Sequence, residues 1–458
     1  MTSVVNLAQF SAADIAEHGN ARNEPAWLLK RRHDAAERAI AQAWPDSRTD
    51  EFWRSTPFTE RFSVDRAVVT DGTDTDIALL SDELDTPAAT VRIVDGAVTD
   101  ITVPVSAAEQ GLVIQDLSDA AHSHQDLIEQ HLGSLTTTNR DGTGKDLDRT
   151  ISVNDAAWNA GVFIHIPNEV ELTVPLVVHF HAVSAGAHLP RILIVAGRHS
   201  RAEVVLEHSS EDVDALVDEV VEVIAQDGSA IKFASLQRWG SGSGIQHLSL
   251  QKFAVGRDAD IHHLVVNIGG TTVRILPEFD MIGAGGSVRP LGVYFADEGQ
   301  WFDMQPYVRH IAPRASSDVL FKGALQGESR TVFRGNIFVG KDAVGTSTDE
   351  NNKSLILTDG ARADATPFLE IECADITAGH GSATGQIDAK QLFYLEARGI
   401  PREEALRLIV YGFFRDVLQE INLPGVEQRT LNDITARIEA SDLSKVAIND
   451  ASLQDRDE

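Results

Sequence analysis

Apolar positions recur along this chain in two rhythms, and the changes from one to the other divide it. Up to about residue 60 the spacing is helical, with Leu28, Leu29, Ala35, Ala36, Ala39, Ile40 and Ala43 forming one stripe. Ser11 is placed to cap a shorter helix before it, Pro25 opens the long one and Pro45 stops it. From about Thr150 to Glu372 the rhythm becomes short strand-like runs separated by turn residues, among them Val174 to Phe180, Arg191 to Val195, Leu248 to Val255 and Ile261 to Asn267. Within that tract only Asp212 to Val217 reads as a candidate helix; an earlier helical interlude is expected over 111–133. Helices return at the carboxy-terminal end. Ala389 to Ala397 is stopped by Gly399, Pro401 opens a second helix to Ile421, and Thr430 is placed to cap a third. A β tract this long exceeds one ordinary sandwich, and stacking its runs as rungs of a solenoid would bury a continuous core without barrel closure. No exact repeat is present, so pattern alone leaves a double sandwich open.

Composition narrows the function. The 458 residues suffice for two or three structural units. With 39 Lys and Arg against 69 Asp and Glu, the net charge of −30 repels nucleic acid and anionic membrane. Cys373 is the only cysteine, which excludes an internal disulfide and any all-cysteine metal cage within one chain. It sits in the run that starts at Phe368 and reads as a small buried thiol. The amino terminus lacks a basic start and apolar core, and no run reaches a membrane-spanning length, so a cytoplasmic protein is expected.

Motif chemistry is sparse. Gly142-Thr143-Gly144-Lys145 is followed by Asp146 and lacks the spacing of a phosphate-binding loop, so any ATP hydrolysis must come from a partner. Gly240 to Gly244 reads as a loop, and there is neither a nucleophile elbow nor a zinc-protease helix. His188, His199 and His208 are scattered without metal spacing, and adjacent His262 and His263 must face opposite sides of a strand. His380, between Gly379 and Gly381, reads as the tip of a turn after the last strand. Read alone it is a turn histidine bonded to backbone carbonyls; because imidazole is also a good ligand for iron, it is at the same time the candidate metal ligand.

An ordered set of segments then carries a resemblance. Phe333-Arg334-Gly335, the run Asn351 to Leu357, Pro367 to Ile371, His380 to Asp388, Gln391 to Ile400 and the helix ending at Ile421 together resemble the SufB/SufD family of iron-sulfur cluster assembly proteins. Glu51 to Thr56, Pro190 to Gly197 and His310 to Pro313 add weaker matches. Two departures point to the SufD branch: Ala361 stands where SufB-type chains have a cysteine, and Gly381 where they have a glutamate. Many SufD chains also carry a cysteine at the position of Ala378, which this chain lacks.

The resemblance implies a mainly β fold, a right-handed parallel β-helix with helical regions at both ends. The expected division is 1–100 for the amino-terminal helices and transition strands, 101–385 for the β-helix and 386–458 for a partner-binding helical region. It further implies a SufB-like paralogue as heterodimer partner and a SufC-like ABC ATPase docking on the last region. Leu406, Ile409, Val410, Phe413, Phe414 and Val417 on the Pro401–Ile421 helix are the expected contacts there, unless that helix merely seals the end of the solenoid. The cofactor implied is a transient iron-sulfur cluster shared with the partner, His380 contributing at the interface; ATP enters only through the ATPase, and no autonomous catalysis is expected. The uncovered end also allows a homodimer when the chain is alone. Two rival readings stand beside this one: a subunit that only stabilises its partner, and a β-helix carbohydrate-active enzyme using Asp258 with Asp260 or Asp303 with Asp318.

Overall fold

In strand after strand, alternate residues are apolar and point inward, and the same inward position recurs on each rung. Ala202 pairs with Ile231, Ile231 with Ile261 and Ile261 with Val288, all in parallel register. Like therefore stacks on like, and the stack is the core. The computed structural model describes residues 5–72, 87–136, 148–240, 242–440 and 446–449. The Gly142–Lys145 run, Ser241 and the tail after Asn449 lie outside the described residues.

Two parallel sheets form a β-solenoid of about eight turns. One sheet runs from Ala89–Val94 through Leu176–Ala182 and successive rungs to Thr346–Ile356 and Ile376–Gly385. The other runs from Ala160–Ile166 to the short strands Arg362–Ala365 and Phe368–Ile371. Their inner faces share one continuous cluster, including Phe180, Phe233, Phe253, Phe279 and Phe321. Each such side chain, fully buried, contributes roughly 1.5–3 kcal/mol.

The amino-terminal helices Ala12–Ala21 and Ala26–Ala41 cover the outer face of the second sheet. Ser11 caps the first in a capping box with Asp14, as its position predicts. Leu28, Ala35, Ala36 and Ala39 pack toward Leu193, Val195 and Leu216, while Ile40 at the end of the stripe stays exposed. Buried ion pairs fix the seam: Arg32 takes Glu24 through two bonds of 2.6 and 2.7 Å, and Arg191 meets Glu222 at 2.5 Å.

Four local expectations are corrected. The interlude over 111–133 opens as a strand, Val113–Asp116, antiparallel to Ala160–Ile166, and turns helical only at Leu117. Asp212 to Val217 is no helix, because Ala215 and Val217 enter the strand Ala215–Ala225 and face the core. Thr430 lies inside the Pro424–Glu439 helix, which Pro424 starts earlier. The Arg402–Ile421 helix does not seal the solenoid end: it lies along the outer face of the first sheet, against Leu264, Leu291 and Val293. Among the described residues no helix is long and apolar enough to cross a membrane.

Candidate functional site

Among the described residues nothing caps the last rung of the solenoid. Ile376–Gly385 pairs with Thr346–Ile356 on one side, with Glu350 opposite His380, and no described strand pairs its other edge. His380 is therefore not at the tip of a turn but in the middle of the last strand. The flanking glycines have a different cause from the one expected. A Cβ on Gly379 would come 2.6 Å from Asp349 Oδ1 and one on Gly381 2.8 Å from Asn351 Oδ1, so side chains of the previous rung lie over both.

Parallel register puts paired residues on the same face, so His380 shares the inward face with Glu350. Glu350 is fully buried, whereas His380 is exposed because no further rung covers it. Ala378 lies two residues away on that same face, where a thiolate would be a neighbour of the imidazole. Glu350 is the residue that motif reading missed. Both its carboxylate oxygens are buried without a hydrogen-bond partner among the described residues, and burial, reinforced by Asp349, pushes its pKa up to about 8. Its carboxylate also explains Gly335: a Cβ there would come within 2.0 Å of Oε1. Nothing in the sequence motif carried this signal; it emerges from rung register.

The second sheet ends beside it in the strand Phe368–Ile371, with Phe368 and Ile371 both exposed. Cys373 is corrected on two points: it follows that strand rather than sitting in it, and it is half-buried against Ile337, Val339 and Ala343. A concavity of about 950 Å³ lies against the amino-terminal segment; it shares Phe368 and Glu370 with this end but contains neither His380 nor Glu350.

On the Arg402–Ile421 helix, Leu406, Val410, Phe414 and Val417 are buried against the chain's own solenoid, and Ile409 and Phe413 are half-buried at its margin. The apolar residues that this region exposes are others: Phe393 and Tyr394 on the Ala389–Ala397 helix, and Leu408 and Tyr411. Lys322 anchors the helix through Asp416 at 2.6 Å.

The carboxylates nominated for sugar chemistry are not brought together. Asp303 is buried in an ion pair with Arg274, Asp318 holds Arg289 at 3.1 Å on the other sheet, and Asp258 occupies a turn before Asp260. His262 and His263 do take opposite faces, the second fully buried and bonded to Gln251 at 2.8 Å. His310 is a buried structural residue bonded to Ser317 at 2.9 Å. His208, read as scattered, meets Glu219 and His247 inside the solenoid.

Comparison with known proteins decides the family. The SufBD core domain model of the SUF iron-sulfur cluster assembly system matches residues 179–413, and the SufBD amino-terminal region matches 16–178. The chain belongs to the SufBD family. An iron-sulfur cluster assembly SufBD family protein of Mycobacterium tuberculosis is 35% identical over 330 residues, 68% of this chain and 80% of the relative. The iron-sulfur cluster assembly protein SufD of Bacillus subtilis is 28% identical over 425 residues, 91% of this chain and 95% of its own length. The SufBD core model thus ends at residue 413, beyond the open rung, and takes in Glu350 and His380.

Proposed function

We propose that this SufBD protein is a non-ATPase subunit of an iron-sulfur cluster assembly complex, pairing with a SufB-type paralogue through the open last rung and lending His380 to the nascent cluster. The observation that carries the reading is that rung: a ten-residue strand whose outer edge no described strand pairs, with an exposed imidazole on its inward face. An unpaired edge presents a row of free N–H and C=O groups, which a strand from a partner satisfies. Imidazole is a borderline ligand, suited to iron beside thiolates. Those thiolates come from the partner, since Ala361 and Ala378 carry none and Cys373 is half-buried. The buried Glu350, protonated at neutral pH, keeps the ground beneath the imidazole uncharged.

A SufC-type ATPase docks on the carboxy-terminal helices. Phe393, Tyr394, Leu408 and Tyr411 form its contact, bordered by Ile409 and Phe413, while Leu406, Val410, Phe414 and Val417 hold the helix to the solenoid. Nucleotide-driven movement of the ATPase then reaches the interface through these helices as a shift between two arrangements.

The test is co-expression with SufB- and SufC-type partners, anaerobic purification, and comparison of iron, sulfide and visible absorption between wild type and His380→Ala. Complex formation in both with clusters only in wild type supports the ligand role. Equal clusters in both reduce the chain to a stabilising partner, a reading that the alanine at 378 favours. Absence of any complex overturns the proposal.

A further inference from the structure

The solenoid interior carries buried polar residues among its apolar ones, and one group of them in the first half is incompletely satisfied. His208 on the strand Arg201–Ser210, Glu219 on Ala215–Ala225 and His247 on Gln246–Val255 all point inward and are fully buried. Their ligating atoms lie within 4.8 Å of one another. His208 Nε2 is 2.7 Å from Glu219 Oε1, and His247 Nε2 is 3.8 Å from Glu219 Oε2. Ser249 donates its hydroxyl to Glu219 Oε2 at 2.7 Å.

Two features of this group ask for a cation. The Nδ1 of His208 faces the carbonyl of Leu236 at 3.3 Å, and a carbonyl only accepts, so Nδ1 carries a proton. The lone pair on Nε2 of a neutral ring would then face a carboxylate oxygen, a contact of two acceptors that needs a proton or a metal ion between them. His247 is the second feature. Neither of its ring nitrogens has a hydrogen-bond partner among the described residues, although the side chain has no exposure. Native proteins seldom leave a buried imidazole with both nitrogens unbonded, and an ion is one of the few groups that satisfies it.

We infer that His208, Glu219 and His247 form a binding site for one divalent first-row transition ion, ferrous iron or zinc, held inside the solenoid. The donor set is two imidazoles and one carboxylate, the set that zinc and non-haem ferrous iron share. Tetrahedral ligands at about 2.0–2.1 Å from a metal stand roughly 3.3 Å apart. His208 Nε2 and Glu219 Oε1, 2.7 Å apart, are closer than that spacing, and the three ligating atoms lie within 4.8 Å of one another, so side-chain rotations bring them to it.

The supporting groups are also those of a metal site. Leu236 orients His208 and Ser249 orients Glu219, each through the atom that does not ligate. Trp239, with its ring 5.2 Å from His247 and 5.3 Å from His208, and Phe180 behind it close the site to bulk water. The site is independent of the open rung and of the partner-complex reading.

The test uses the full chain alone, without a histidine tag, unfolded and refolded anaerobically with Fe²⁺, Zn²⁺ or Co²⁺ and then passed through metal-free buffer. Bound metal is measured by mass spectrometry, and Co²⁺ by its visible absorption. Roughly one ion per chain is expected in wild type, falling about tenfold in Glu219→Gln and His247→Leu. The isosteric Glu219→Gln keeps the test alive if His247→Leu does not fold. Co²⁺ or Fe²⁺ should also quench part of the tryptophan emission of wild type, and that part should vanish in Trp239→Phe. The relative uptake of Fe²⁺ and Zn²⁺ from an equimolar mixture selects the ion. Metal-free wild type after refolding, or equal metal in wild type and Glu219→Gln, overturns the inference.

Discussion

His247 and His380 each face inward on a rung of one solenoid, on different sheets, yet they are opposite in chemistry. His247 has rungs on both sides and Trp239 against it; it is desolvated and held neutral. His380 has a rung on one side only and meets solvent. The residue type is the same, and what differs is whether the next strand exists. In a parallel solenoid, therefore, the last rung turns core positions into surface ones while keeping the register that aims them. That is how the chain presents an imidazole over a buried carboxylic acid without devoting a loop to it.

Substitutions inside and at the end of the solenoid should separate these regimes. The largest effect is expected in the covered part. Phe253 is fully buried, stacked on Phe279 with ring centroids 4.8 Å apart and edge-on to Phe233 and His263. Phe253→Ala should cost about 3–5 kcal/mol, read from urea unfolding, because rungs above and below cannot collapse into the space. A loss under ~1 kcal/mol would mean that the interior yields, and the contrast with the open rung would fail.

Glu350 lies at the boundary and should give the next effect, with the opposite sign. The folded protein retains its proton up to about pH 8, whereas the unfolded chain releases it near the ordinary glutamate value of 4.5. The folded state thus binds more protons between those limits, and stability falls as pH rises through that window. Glu350→Gln removes this dependence. At pH 8 the variant should be more stable than wild type by on the order of 2–4 kcal/mol, with the gain gone near pH 4.5. Equal stability at both pH values would show that Glu350 is solvated, and that the open end reaches one rung deeper than His380.

The strands could be read from sequence because burial on both faces makes near-continuous apolar runs, and the capped amino-terminal helix because Ser11 and Asp14 are local signals. The sites could not, for a reason of geometry. Ser249 touches Glu219 across 30 positions of sequence, one turn of the solenoid, and the sequence shows no exact repeat at that interval. His208, Glu219 and His247 therefore look scattered until strands are registered. The Gly379-His380-Gly381 tripeptide misled in the other direction. Glycine there reads as a turn, but it sits mid-strand and leaves room for the Asp349 and Asn351 side chains that lie over it. The helix stripe from Leu406 to Val417 was visible, but periodicity cannot say whether an apolar face meets a partner or the chain's own sheet; here its buried residues meet the sheet.

The smallest expected stability effect is at His380 itself, and its smallness is what makes the residue informative. Its side chain is exposed, and no hydrogen bond or ion pair of it is formed with the described residues. His380→Ala in the isolated chain should change unfolding free energy by no more than about 0.5 kcal/mol, in the range of surface substitutions. A larger loss would mean that the imidazole helps close the solenoid end, as a covered rung does, and any cluster missing from a His380→Ala complex would then be a folding defect. A negligible change, together with the loss of cluster in the complex, separates ligation from architecture: the same inward register that buries His247 would leave His380 free for a partner's metal.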